Sequence, residues 1–177
     1  MMDVKDKTVP RLIQEVAQKH PDVPAQYTKN SNGEFDCLTY GQMWQRAVDF
    51  AGGLLSYNVQ RGELLGIISE DRAEWQQADL GLLAIGAADV PRGTDASPSD
   101  LKYILSFTNC RICIVETNAA AKKILDLKAD LPDLKYFVMF DDPTQETLNL
   151  AQAAEKKLVN IGKGNALLLL SLGLYSR

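Results

Sequence analysis

Residues 82–105, which read LLAIGAADVPRGTDASPSDLKYIL, constrain the fold more than any other stretch of this chain. Gly86 stands where an amphipathic helix needs a left-handed residue in order to stop. Residues 88–91 are then short, small and apolar, as expected of a strand buried on both faces. Pro91 closes that strand, because proline has no N–H to give to a ladder. Ser97-Pro98-Ser99-Asp100 follows as a cap serine, a first-turn proline and an acidic third position. Leu101, Ile104 and Leu105 mark the buried stripe of the helix they open. Helix, strand, turn and helix in so short a span are one step of a wound α/β sheet.

The same step recurs along the chain. Thr8 and Pro10 open a first helix with Leu12, Ile13, Val16 and Ala17 on one face, ending before Pro21 and leaving His20 at its last turn as a surface histidine. Residues 24–29 and 34–38, separated by Asn30-Ser31-Asn32-Gly33, predict a hairpin decorating one edge of the sheet. Thr39 with Gln42 is a capping box for a long helix whose stripe includes Met43, Trp44, Ala47, Val48, Ala51, Leu54 and Leu55. Within it, Gly52-Gly53 marks a place where another backbone can approach.

Residues 64–69 form a continuous apolar run of the parallel-strand kind. Asp71 with Glu74 caps the helix that leads into residues 82–105. Residues 111–115 and 136–140 are further strands, with a helix at 119–127 capped by Thr117 between them. Residues 144–158 read as one helix, 162–165 as a loop and 166–170 as one more buried strand. The fold class is therefore α/β: a wound, mostly parallel sheet with flanking helices and an N-terminal β-hairpin.

Composition narrows the function. A formal charge of -4 sets aside a nucleic-acid partner held by phosphate contacts. The N-terminal MMDVKDKTVP has no apolar stretch of the secretory kind, and no run approaches the roughly 20 apolar residues of a membrane helix, so a cytoplasmic address is expected. Cys110 and Cys113 have C-x-x-C spacing, but they lie at a strand entry rather than a helix start, and only Cys37 and His20 could complete a zinc set. They read as small buried residues, and no metal site is expected. No G-x-G-x-x-G follows a strand, and Ser69-Glu70-Asp71-Arg72 is acidic where a pyrophosphate would sit, which argues against a dinucleotide cofactor. Gly162-Lys163-Gly164 lacks Walker spacing. Arg92-Gly93-Thr94-Asp95 is better placed for a ligand, at the carboxyl end of a parallel strand, although Arg92 paired with Asp95 in a structural turn is the plainer alternative.

The order of residues 82–105, preceded by SEDRAEWQQADLG and by LTYGQMWQRAVDFAGGL, resembles the N-terminal part of the adenylate-forming (AMP-binding) ligases. The VPRGTD turn is most similar to that of bacterial long-chain fatty-acid:CoA ligases, and the resemblance covers about residues 8–142. It implies an enzyme that uses ATP and magnesium to convert a fatty acid to an acyl-adenylate, which CoA then intercepts. It also implies a division into an α/β subdomain at 1–143 and a helix with an apolar tail at 144–177, stopping before the phosphate loop. The family's phosphate loop, its adenine- and metal-associated motifs and its catalytic lysine have no counterpart among these residues. No catalytic residue and no cofactor is therefore expected in this chain, and the isolated chain is expected to be inactive.

For CoA the resemblance points to Gly93 and Thr94, with Lys122 and Lys123 on the helix that follows. An exposed sheet edge would allow self-association. The alternative is a stand-alone, non-catalytic binding or interaction module of the same fold, and a flavin-binding module would declare itself by a yellow colour.

Overall fold

The computed structural model describes residues 7–161, so the expected loop at 162–165 and strand at 166–170 lie outside the described residues. The chain forms two compact units, one from residues 7–63 and 71–88, the other from residues 64–70 and 89–161.

The first unit holds three helices and a hairpin. Helix α1 (Val9–Lys19) follows Thr8 in an extended conformation, but the Thr8 side chain makes no capping hydrogen bond; Pro10 fills the first turn and Ala17 is buried. Strands β1 (Pro24–Lys29) and β2 (Phe35–Thr39) pair antiparallel around a turn in which Gly33 takes φ +84°. They are a two-stranded sheet of their own, packed on α2, rather than an added edge of the main sheet.

Helix α2 (Tyr40–Ser56) opens with the expected box. The Thr39 hydroxyl accepts from Gln42 N–H, and the Gln42 side chain accepts from Thr39 N–H at 3.0 Å. Its buried residues are Met43, Ala47, Phe50, Ala51 and Leu54, whereas Val48 and Leu55 are exposed. Helix α3 (Ala73–Ala84) starts one residue later than its acidic signal suggests. Arg72 is the cap residue, and its Nε donates to Glu74 at 2.8 Å. The helix stops as expected, with Gly86 at φ +77°.

The expected close approach falls on a different glycine. A Cβ on Gly52 would meet nothing within 4 Å, whereas one on Gly81 would stand 2.8 Å from the Ala47 carbonyl oxygen and 3.0 Å from the Phe50 ring. It is therefore Gly81 of α3 that lets α2 and α3 pack backbone to side chain.

The second unit is built on a five-stranded parallel sheet in the order β4-β3-β5-β6-β7. Its strands are β3 (Leu64–Ile68), β4 (Ala88–Arg92), β5 (Ile112–Val115), β6 (Tyr136–Met139) and β7 (Lys157–Asn160). β5 is buried along its whole length, and β3 and β6 along all but their first residue, which is why their sequences are unbroken apolar runs.

Helices α4 (Pro98–Phe107), α5 (Asn118–Leu125) and α6 (Gln145–Ala153) pack on one face. There Leu101, Leu105, Ala121, Ile124 and Ala151 meet Ile68, Cys113, Val115, Phe137 and Met139. Gly66 admits α4 to the sheet, since a Cβ there would come within 2.7 Å of Leu105.

Two further expectations change. β4 is an edge strand with only Val90 buried and Pro91 exposed, so it is not sandwiched on both faces. Proline is tolerated there because an edge strand can leave one side of its backbone unpaired. Residues 144–158 are not one helix. α6 ends at Ala153, Glu155 reverses the chain at φ +56°, and residues 157–160 become β7.

Candidate functional site

The loops at the carboxyl ends of β3, β4 and β5 meet in one hydrogen-bonded cluster. The pairing of β3 with β4 continues past the strand, since Ser69 N–H donates to the Arg92 carbonyl at 3.0 Å. One Glu116 carboxylate oxygen then accepts from the Ser69 hydroxyl at 3.1 Å and from Glu70 N–H at 2.7 Å. Glu70 in turn accepts from Thr94 N–H at 2.7 Å and from the Thr94 hydroxyl. These bonds, the hydroxyl first and the backbone N–H second, hold the Glu70 carboxyl below its usual range.

From the other side Lys123 Nζ donates to the Thr94 carbonyl at 2.8 Å and the Ala96 carbonyl at 3.0 Å. The turn after β4 is thus held between a carboxylate that takes its donors and an ammonium that takes its acceptors. Gly93 fits because a Cβ there would stand 2.7 Å from an Asp95 carboxylate oxygen. Arg92 Nη1 donates to the Pro91 carbonyl. Beside the turn an open cleft of about 460 Å³ is lined by residues that include Arg92, Gly93, Asp95, Asp100 and Tyr103.

Of the four residues singled out from the sequence, three come together: Gly93, Thr94 and Lys123. Lys122, one position along α5, turns instead to Glu146 at the start of α6, which raises its pKa first through their hydrogen bond. Sequence reasoning missed Glu70 and Glu116. The only signal was an acidic residue directly after each of two apolar strands. His20 is exposed at the end of α1. Cys110 and Cys113 are buried in the core, and burial first pushes the Cys113 thiol well above its usual range.

The family profile of AMP-binding enzymes matches residues 13–168. The chain belongs to the AMP-binding enzyme family. A long-chain-fatty-acid–CoA ligase of Mus musculus is 29% identical over 142 residues, 80% of this chain and 21% of that protein. One from Drosophila melanogaster is 27% identical over 143 residues, 79% of this chain and 21% of that protein. The chain thus spans about a fifth of the length of the curated relatives it matches.

Among solved structures, the adenylation domain of a carboxylate reductase from Mycobacterium chelonae aligns with TM-score 0.78 at 18% identity, covering 92% of this chain and 29% of that one. An anthranilate CoA ligase in complex with anthranoyl-AMP aligns with TM-score 0.65 at 21% identity, covering 86% and 30%. At these identities the structural matches establish the fold alone, an α/β architecture of the kind found in those two proteins. The cluster lies outside the carboxyl ends of the strands, the side on which open α/β sheets in general bind ligands.

Proposed function

We propose that the chain supplies the N-terminal portion of an ATP-dependent long-chain fatty-acid:CoA ligase. In such an enzyme a fatty-acid carboxylate attacks ATP to give an acyl-adenylate and pyrophosphate, and the CoA thiol then displaces AMP. The observation that carries this reading is the family match over residues 13–168, joined to the fatty-acid–CoA ligase names of its relatives.

The described residues do not fit magnesium or the ATP phosphates. Among them there is no group of three His, Cys, Asp or Glu side chains arranged for a metal, and the Thr94 N–H is spent on Glu70 rather than turned toward an anion. No chemical step is therefore assigned to this chain, and its isolated form is expected to lack ligase activity. Purified protein supplied with ATP, magnesium, oleate and CoA should release no pyrophosphate and form no oleoyl-CoA. Accumulation of oleoyl-CoA would overturn the assignment.

The nucleotide end of CoA is placed at Gly93 and Thr94, with Lys122 and Lys123. What supports this is the meeting of three of these residues at the carboxyl edge of the sheet, together with the exposure of the Lys122–Glu146 pair at 41% and 66%. Thr94 and Lys123 spend donors within the turn, so a phosphate would compete with Glu146 for Lys122. Lys122→Ala should weaken binding of adenosine 3′,5′-bisphosphate, and Glu146→Gln should strengthen it, each by about threefold to tenfold. Calorimetry showing no change in either variant would remove Lys122 from the site.

A further inference from the structure

The hairpin of the first unit turns through a short loop. Asn30 N–H donates to the Glu34 carbonyl at 2.8 Å, Gly33 N–H donates to the Asn30 carbonyl at 3.0 Å, and Gly33 takes φ +84°. This is the type I turn followed by a left-handed residue that three-residue hairpin loops favour. The Asn30 side chain fastens it. Its Oδ1 accepts from Asn32 N–H and from Glu34 N–H, both at 3.0 Å, and its Nδ2 donates to Asp36 at 3.1 Å. Asn32 is held only by its backbone: it is exposed, and its side-chain amide has no partner among the described residues. It is also the one asparagine in the sequence that a glycine follows. A Cβ on Gly33 would meet only the Lys29 Cε, at 3.9 Å, so little crowds the Gly33 backbone.

We propose that Asn32 is a site of spontaneous covalent modification, losing its side-chain amide to the Gly33 nitrogen, and that Asn30 sets the rate. The Gly33 nitrogen gives up its proton and bonds to Asn32 Cγ. The Cγ–Nδ2 bond breaks, and ammonia leaves with that proton, closing a five-membered succinimide. Water then opens the ring. Cleavage of the new bond gives an aspartate at position 32, and cleavage of the original peptide carbonyl bond gives an isoaspartate. The net change is amide plus water to carboxylate plus ammonium, with no oxidant, metal or enzyme. Glycine suits the step because its nitrogen carries no side chain beside it and its backbone rotates freely.

The folded loop opposes this step in two ways. In the succinimide the Gly33 nitrogen has no hydrogen, so its bond to the Asn30 carbonyl must break first. Attack also needs Asn32 to turn about its own backbone, and the Asn30 Oδ1 holds the N–H groups of Asn32 and Glu34 in place. Giving up one such neutral bond slows a step by about twofold to tenfold. The reaction therefore runs from a minor, opened loop whose population Asn30 controls. An isoaspartate there adds one carbon to the main chain, next to the pairing of Lys29 with Phe35.

Mass spectrometry of the whole chain, held in mildly alkaline buffer beside a free peptide of residues 28–36, tests this, with fragment ions locating the change. Asn32 should gain about 1 Da at least about tenfold faster than Asn58, Asn109, Asn118 or Asn149, and an isoaspartyl methyltransferase should label the product. In the folded chain Asn32 should react about threefold to thirtyfold more slowly than in the peptide, and Asn30→Ala should remove most of that difference. Asp36→Ala, which frees the Asn30 side chain from β2 without touching the loop, should speed the reaction by about twofold or more and serves alone if Asn30→Ala does not fold. Conversion in the peptide with none at Asn32 of the chain would overturn the site. Equal rates in chain and peptide, or in the chain and its folded variants, would overturn the part given to Asn30.

Discussion

Glu70 is the carboxylate that holds the turn after β4. Its carboxylate gathers Thr94 N–H and the Thr94 hydroxyl, and these bonds favour the ionised form. Because its folded pKa lies below that of the unfolded chain, the stability it contributes is present above the unfolded value, about 4.3, and is lost as the pH falls through the lower folded value. Glu70→Gln should therefore flatten the acid side of the stability curve, leaving less melting temperature to lose between about pH 5 and pH 3. An unchanged acid slope in thermal scans would remove Glu70 from the turn's support. The sequence shows Glu70 as an acid after a strand, but its partner lies 24 residues away, and no local pattern pairs them. The Lys122–Glu146 pair is hidden in the same way, again across 24 residues.

Helix starts were legible wherever a short polar side chain could reach its own backbone. Thr39, Ser97, Thr117 and Thr144 all accept from the third helical N–H. Thr8 has the same residue type and an extended backbone but makes no such bond. Thr39→Ala should cost about 1 kcal/mol, whereas Thr8→Ala should cost a few tenths at most, as read by urea unfolding. Equal losses would mean that residue type rather than the observed bond matters. The end of α6 was not legible, because Glu155 takes a left-handed conformation that glycine or asparagine usually signals.

Contact between helices was legible only as a period. Gly52 and Gly81 are both helical glycines, and nothing local distinguishes them. Gly81→Ala should destabilise by about 1 to 3 kcal/mol, because the Ala47 carbonyl cannot easily retreat from a Cβ at 2.8 Å. Gly52→Ala should stabilise by about 0.5 to 1 kcal/mol, since it adds helix propensity without a clash. The same unfolding curves decide, and a stabilised Gly81→Ala would contradict the packing of α3 on α2.

At the scale of the molecule, the second unit is built around one buried cluster. Phe137 is 1% exposed among the helices of that unit, while Phe107 is 70% exposed and stacked on Tyr103 at 5.7 Å between ring centroids. Phe137→Ala should cost about 3 to 5 kcal/mol, and Phe107→Ala less than about 1 kcal/mol. Comparable losses in denaturant titrations would contradict this division of burial.

By itself the sequence determined the helices and the strands up to β6, that the main sheet is mostly parallel, and the family to which the chain belongs; it did not show β7, which lies in a stretch that reads as helix. Those properties follow from apolar period, cap chemistry and connection length, each of which acts over a few residues. Only the tertiary structure decided that β4 lies at the edge beside β3 rather than within the sheet, that Gly81 rather than Gly52 admits the neighbouring helix, and that Glu70 and Lys123 hold the turn at Thr94. Buried parallel strands share one apolar signature, and pairs formed across two dozen residues of chain leave no local pattern. Strand order and site assembly therefore emerge only when the elements pack.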